Sequence, residues 1–518
     1  MIPASRSKEV EYMNSKESFW NKIDKKVFVI GGIVCLIFVL WAVIWPSQAA
    51  NTFNILLAFF GEKFGWLYLI VVTFFVGFLI WLCCSRYGKI RLGKDDEKPE
   101  YSTFSWFFML FAAGMGIGLV FWSVAEPMTH YMSPPYGEGY TVESAEVAMR
   151  YSFMHWGFHP WACFGVVGLP LAYFQFRKGK PALLSSCIEP LVGERRANGA
   201  LGSIVNVLAV FATVFGVATS LGLGAMQINS GLQYVFGIPY GNLPMILIIL
   251  VVTVLFILSS VSGIDRGIKM LSDSNMVLFG LLTVFVLFAG PTLFLLNYIT
   301  STLGEYMQHL ITMSFWTDAF STNEGWLTSW TVFYWAWWIS WGPFVGGFIA
   351  RISRGRTIRE FIIATLIAPV LLSFIFIGIM GGTAIYNDMN GISSVASAIQ
   401  ENTSYALFAM LEELPFTSVS SLIAIVLIAI FFITSADSST FVCSMMTSKG
   451  VQNPPRTLRI FWGGAESAVA IVLLIAGGLT SLQTASIVGA FPFMLVCLLV
   501  IAAFVKALRN DPAVKKTS

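Results

Sequence analysis

Charge is what this sequence has least of: lysine, arginine, aspartate and glutamate make up 11% of its 518 residues, less than half the share of about 25% usual in soluble domains. With 56% hydrophobic residues beside so little charge, a water-soluble globular chain is excluded and an integral membrane protein is indicated. The net charge of +3 is too small, and too evenly placed on one side of a membrane, to attract nucleic acid, which calls for a concentrated basic surface. No G-x-x-x-x-G-K-S/T loop is present, so the chain does not itself spend ATP. No nucleophile-base pair and no His/Cys/Glu ligand set stands out. His155 and His159 share a helix face but lack a third ligand, and they read as packed, hydrogen-bonded side chains. No enzyme activity and no cofactor are expected.

Outside-facing cysteine is lacking too. The seven cysteines fall within or just inside apolar runs, which argues against a disulfide framework, and their spacing fits no metal site. The pair Cys83-Cys84 fits packing better than lipidation. The first 26 residues are polar and mix Glu and Asp with Lys, without the apolar centre and cleavage site of a signal peptide. No linker separates soluble domains, so a single transmembrane domain is expected over 27–508, with cytoplasmic tails at 1–26 and 509–518.

What the chain does have is about twelve apolar runs of roughly 20 residues, each long enough to cross about 30 Å of hydrocarbon. We place them at 27–46, 64–84, 103–124, 144–176, 200–236, 243–261, 269–296, 327–350, 360–382, 416–445, 459–478 and 482–507. Of the 31 lysines and arginines, all but Lys63 and Arg150 lie in alternate connecting segments or the tails. Basic residues collect in the cytoplasm, so both termini are predicted inside, which needs an even number of spans. The outer stretch 298–325 carries no Lys or Arg and reads partly as an amphipathic helix lying on the membrane or on a neighbouring subunit. The tract 393–413 is read likewise.

Two spans carry signs of broken helices, which survive in lipid only where they line a protein cavity. The third has three glycines in Gly114 to Gly118, followed by Glu126-Pro127. The eighth has Gly342-Pro343 directly after four tryptophans, Trp335, Trp337, Trp338 and Trp341. The two breaks lie five spans apart, as corresponding points of two five-span repeats would, spans 3–7 and 8–12. An odd repeat length forces inverted topology.

Tryptophan usually marks the ends of membrane helices. Four rings near the middle of one instead suit a cavity for a cation with no hydrogen to donate. Trp337 and Trp341 share a face with Trp338 beside them, and the fourth span adds Trp156, Trp161 and Phe164 near one side. Ring faces attract a desolvated cation by about 2 kcal/mol each, so the set reads as an aromatic box for a methylated ammonium. In the tenth span, Thr434 and Ser435 offer neutral oxygens suited to sodium, unless they bond back to their own helix. Asp437 lies near a membrane helix end, and a gating or helix-positioning role fits it.

Taken together, Gly114 to Gly118 with Glu126-Pro127, His155 to Trp161, and Phe333 to Phe344 with Ala350 to Arg356 resemble the betaine/choline/carnitine transporter family over nearly the whole chain. The resemblance implies a LeuT-like 5+5 inverted repeat preceded by two extra helices, a homotrimer in the cell's inner (plasma) membrane amid lipid, and alternating access. It implies a box of Trp156, Trp161 and Trp338, with Phe164 where family betaine carriers have tyrosine. Trp337 and Trp341 would line the path, and Gly114, Met115 and Gly116 would contact substrate. Sodium, the coupling ion, would be held by carbonyls of Ala112, Met115 and Phe431 and hydroxyls of Thr434 and Ser435. A second family sodium site matches at Thr213 and Phe344, but its other threonine is Val217 here, so coupling is one or two ions per substrate. Sodium-independent exchangers of the family carry an arginine in the region that reads Ser272 to Met276 here, without arginine. Proton-coupled choline members depart from the glycine pattern kept at Gly114 to Gly118. The resemblance therefore implies sodium symport of glycine betaine or a related methylated zwitterion. Choline or carnitine transport, by proton coupling or exchange, is the alternative. A channel is the more distant one, because rings of polar residues along several spans are missing.

Overall fold

The computed structural model describes residues 22–262, 265–320, 323, 325–392 and 395–515. The N-terminal tail assigned to 1–26 therefore lies almost wholly outside the described residues. Over the described residues the regular structure is helical, with one isolated β-bridge between Arg91 and Thr357. Helices satisfy their own backbone groups, which is what hydrocarbon demands.

Helix α1 (Lys25–Ile44) begins at Asp24, whose carboxylate accepts from the backbone N–H of Lys26 and Val27 at 3.1 and 3.2 Å. Pro46 then opens α2 (Pro46–Cys84), a position where its missing N–H costs nothing. The helix starts well before the expected 64. The third expected span is two helices, α3 (Thr103–Gly114) and α4 (Ile117–Met132), bent by 67° across Met115-Gly116. The fourth is also divided, at Gly157, into α5 (Val142–Trp156) and α6 (Phe158–Ala172). Helices α7 (Ala200–Phe236), α8 (Asn242–Ser262) and α9 (Asp265–Ala289) follow. A 111° bend at Gly290-Pro291 then starts α10 (Thr292–Ser314). This element contains the stretch read as amphipathic. It buries Leu295, Tyr306 and Met313 and exposes Leu293, Met307 and Ile311.

Helices α11 (Phe333–Ile352), α12 (Ile358–Met389), α13 (Thr417–Met446) and α14 (Arg456–Arg509) complete the bundle. A capping box starts α12, with Thr357 and Glu360 each satisfying the other's backbone N–H. Helix α14 changes direction at Gly477-Gly478, where Gly478 has φ of 56°, a backbone region that favours glycine.

Seven helices among the described residues are long and apolar enough to cross a bilayer: α1, α2, α7, α8, α12, α13 and α14. Counting each bent pair, α3 with α4 and α9 with α10, as one span gives nine. The shortfall from the expected twelve has local causes. Helices α5 and α6 have only 15 residues each, α14 covers two expected runs, and α11 is built of Trp, Tyr and Gly rather than aliphatic residues.

The expected break in the eighth span is not there. Helix α11 runs through Gly342-Pro343 without interruption. Its glycines serve close packing instead: a Cβ on Gly342 would lie 3.2 Å from Val167, and one on Gly346 would lie 2.8 Å from Val167 and 3.0 Å from the Gly168 backbone. Small residues thus let α11 press against α6. Helix α11 is buried on every side from Phe333 to Gly346 and touches α6, α7 and α14, whereas α1 and α8 turn Leu36, Ile37, Val251 and Leu258 outward.

Candidate functional site

The break between α3 and α4 is where the aromatic residues converge. A Cβ on Gly114 would lie 2.7 Å from the Trp161 ring and 3.2 Å from Phe164, and one on Gly118 would run into the Trp337 ring. Glycine is required at these two positions because the rings approach the backbone itself. Trp156 and Trp338 stand edge to face, centroids 4.9 Å apart, Phe164 meets Trp338 at 6.1 Å, and Trp161 meets Phe164 at 5.4 Å. Trp337 stacks on Trp338 at 4.8 Å, and Trp341 lies 5.9 Å from Trp337. All six rings are buried. The indole N–H groups of Trp161 and Trp337 find no acceptor in the protein, while Trp341 donates to the Gly216 carbonyl at 3.0 Å.

On the other side of the break, a Cβ on Gly116 would lie 3.2 Å from Ser435 Oγ and 3.6 Å from the Phe431 ring. The backbone of α4 thus starts against the middle of α13. Ala112 sits in the last turn of α3 and Met115 caps it. Met115 Sδ accepts a 3.5 Å contact from Ser373 Oγ. Thr434 and Ser435 are half-buried. Thr434 Oγ1 donates to the carbonyls of Ile430 and Phe431 at 3.0 and 3.3 Å, the back-bonding that hydroxyls adopt in a helix. Thr213 does the same, donating to Ala209 at 2.8 Å. Val217 is buried on the same helix, and Phe344 packs on Trp341 at 5.6 Å.

A cavity of about 510 Å³ opens at one end of the bundle, lined by Leu171, Gly347, Arg351, Asp437, Ser438 and Phe441 among others. Ser438 stands less than one helical turn beyond Ser435. Arg351 and Arg459 lie over the Phe441 ring at 5.6 and 5.1 Å, cation-π contacts that hold two cationic groups at the cavity wall.

His155 and His159 are both buried and hydrogen-bonded, as expected, but His155 also belongs to a cluster that the sequence did not show. Glu126, His130 and His155 each offer a ligand atom within 4.8 Å of the others, so His155 does have carboxylate and imidazole neighbours that its spacing from His159 did not suggest. Glu126 comes from α4, and its carboxylate is filled by donors. Oε1 lies 2.7 Å from His155 Nδ1, and Oε2 accepts from Trp156 Nε1 at 2.8 Å and from the Tyr334 hydroxyl. His155 Nε2 pairs with Thr331 Oγ1 at 2.9 Å, and His159 Nε2 pairs with Ser314 Oγ at 3.0 Å. Tyr334 and Thr331 went unnoticed in the sequence. The available signal was Glu126 itself, since an ionisable residue inside a membrane span marks function by default.

The family model for the BCCT, betaine/carnitine/choline family transporter, matches residues 26–513. The glycine betaine transporter OpuD of Bacillus subtilis (strain 168) is 51% identical over 475 residues, covering 91% of this chain and 92% of that protein. A probable glycine betaine transporter of Desulfitobacterium hafniense (strain Y51) is 48% identical over 495 residues, covering 94% and 99%. The ectoine/hydroxyectoine transporter of Virgibacillus pantothenticus is 44% identical over 488 residues, covering 94% and 97%. With a family model over nearly its whole length and relatives near half identity end to end, the chain belongs to the betaine/carnitine/choline family of transporters, and it is a transporter rather than an enzyme.

Proposed function

We propose that this protein imports glycine betaine, or a closely related methylated zwitterion, by sodium symport. The observation that carries the reading is the group of Trp156, Trp161, Phe164 and Trp338 gathered at the Gly114 break. A trimethylammonium group cannot donate a hydrogen bond, so it is recognised through the attraction of its charge to ring faces rather than by a hydrogen-bond acceptor. The unpartnered N–H groups of Trp161 and Trp337 supply donors for the carboxylate of a zwitterion, which choline lacks. Two of the relatives are named for glycine betaine.

Sodium binds between the two halves of the site. Carbonyls of Ala112, Met115 and Phe431 and hydroxyls of Thr434 and Ser435 are its ligands in this reading. The short approach of Gly116 to Ser435 and Phe431 supports it, because a shared ion there ties the helix break to α13. The cavity lined by Arg351 and Asp437 lies at the end predicted to be cytoplasmic, and the rings are buried without lining it. We further infer twelve spans arranged as a 5+5 inverted repeat after two leading helices, both termini in the cytoplasm, and a homotrimer in the plasma membrane.

Counterflow in proteoliposomes with glycine betaine, choline, carnitine, ectoine and proline tests the substrate. Glycine betaine should exchange fastest, and preference for ectoine, the substrate named for one relative, would move the assignment there. Uptake at the full rate without sodium would exclude symport. Replacing Thr434 and Ser435 together with alanine should raise the sodium concentration for half-maximal uptake while leaving the folded assembly intact.

A further inference from the structure

The Glu126 carboxylate reaches two rings of the proposed box without belonging to it. Its Oε2 accepts from the indole N–H of Trp156 at 2.8 Å and from the hydroxyl of Tyr334. Its Oε1 meets His155 Nδ1 at 2.7 Å, and the carbonyl of the same His155 accepts from the indole N–H of Trp338 at 3.0 Å. One group on α4 therefore fixes a ring on α5 directly and a ring on α11 through one residue. His130 Nε2 stands 3.4 Å from Oε1.

We propose that Glu126 is a positioning residue whose negative charge sets the preference of the aromatic box for a cation over a neutral group of the same shape. Indole N–H and phenol O–H donate to this carboxylate and an imidazole nitrogen lies within hydrogen-bond reach of it, surroundings of the kind that sustain an anion. Burying a carboxylate inside a membrane is costly, and the same packing could be had with a neutral amide. The charge has a use that an amide lacks. A ring that donates its N–H or O–H to an anion gains electron density, and the ring face attracts a cation through that density. The anion adds its own field in surroundings of low dielectric constant. Both effects strengthen the hold on a cation and do nothing for an uncharged group that fills the same space.

The inference rests on the proposed transport of methylated ammonium solutes, and the test separates the two. Glycine betaine uptake into proteoliposomes is competed with unlabelled glycine betaine and with 3,3-dimethylbutyrate, in which a quaternary carbon replaces the ammonium nitrogen. The inhibition constant of 3,3-dimethylbutyrate divided by that of glycine betaine reads charge recognition alone. In Glu126→Gln, which keeps size and a hydrogen-bond acceptor, that ratio should fall by about tenfold. A purely structural role would weaken both competitors together and leave the ratio unchanged, which overturns the proposal. Tyr334→Phe removes one of the donors that sustain the anion, and should lower the ratio in the same direction by about threefold. It carries the test should Glu126→Gln not fold, and an unchanged ratio overturns the proposal there too. If the parent protein takes up no quaternary ammonium solute, the transport reading itself fails. Uptake with an unaltered ratio in the variants sinks only the role of Glu126.

Discussion

Trp338 donates its indole N–H to the backbone carbonyl of His155 at 3.0 Å. That carbonyl lies in the last turn of α5, which stops at Trp156, so it has no partner within its own helix. Division of the fourth span at Gly157 thus creates the acceptor that orients a ring of the eighth.

Trp338→Ala should weaken the apparent affinity for glycine betaine by roughly five- to thirtyfold, since a desolvated cation-π contact is worth about 1 to 2 kcal/mol. Trp338→Phe keeps a ring face and loses the N–H, and should be milder. Uptake kinetics in proteoliposomes check both. A Trp338→Leu variant with the parent's affinity would place the cation elsewhere.

The glycines of the third span make a sharper steric prediction. A Cβ at Gly118 would enter the buried Trp337 ring, whereas one at Gly77 in α2 would meet nothing within 4 Å. Gly118→Ala should cut maximal uptake at least about tenfold, because a close-packed interior gives no room for the ring to retreat. Gly77→Ala should transport normally and be slightly stabilised, as expected for glycine removal inside a helix. Initial rates at matched amounts of reconstituted protein decide it, and equal rates for the two variants would mean the break is not tightly packed during transport.

Beyond the membrane spans, Asp511 provides a pH-dependent tether. Arg177 grips it with two bonds of 2.8 Å, from Nε and Nη2, Tyr173 donates at 2.7 Å, and Lys178 adds a contact of 3.2 Å. Burial alone would raise the Asp511 carboxyl, but the bonds from Arg177 and Tyr173 outweigh it and hold it well below the usual carboxylate range. A group depressed in the fold stabilises above its unfolded value, about 3.9, and loses that contribution as pH falls towards the folded value. Asp511→Asn should therefore cost about 1 to 3 kcal/mol at pH 7. The difference in thermal midpoint between parent and variant, measured in detergent, should begin to narrow below about pH 5 and go on narrowing as pH falls towards about 2. A gap that stays constant across that window would rule out the charge as its cause.

How much of this could be read in advance depended on the range of the signal. Helix α11 was conspicuous because Trp335, Trp337, Trp338 and Trp341 lie within seven positions, and the α3–α4 break because three glycines lie within five. Gly342-Pro343 misled because sequence does not distinguish a glycine that breaks a helix from one that lets Val167 come close. The Glu126 network was invisible for a different reason. Its donors Trp156 and Tyr334 are 30 and 208 positions away, and no periodicity connects them. Twelve apolar runs were visible in composition, but the structure redistributes them, since Gly157 divides one span and α14 joins two.

In the proposed sodium symport, Val217 bears on the number of ions expected in each cycle. On α7 it is buried four residues beyond Thr213, whose hydroxyl is already engaged with the Ala209 carbonyl at 2.8 Å. Sodium stripped of water needs several oxygens around it, and a valine methyl contributes none, so a second ion has little to bind there. Sodium activation of glycine betaine uptake should show a Hill coefficient closer to one than to two, and about one net charge should move per zwitterion. Val217→Thr should raise both by restoring a hydroxyl one turn from Thr213, where a second ion could recruit each side chain away from its own helix. Charge movement and radiolabelled uptake recorded on the same proteoliposomes give the ratio directly. Two charges per zwitterion in the parent protein would mean that the second ion is held without the missing hydroxyl, and the reading of Val217 would fall.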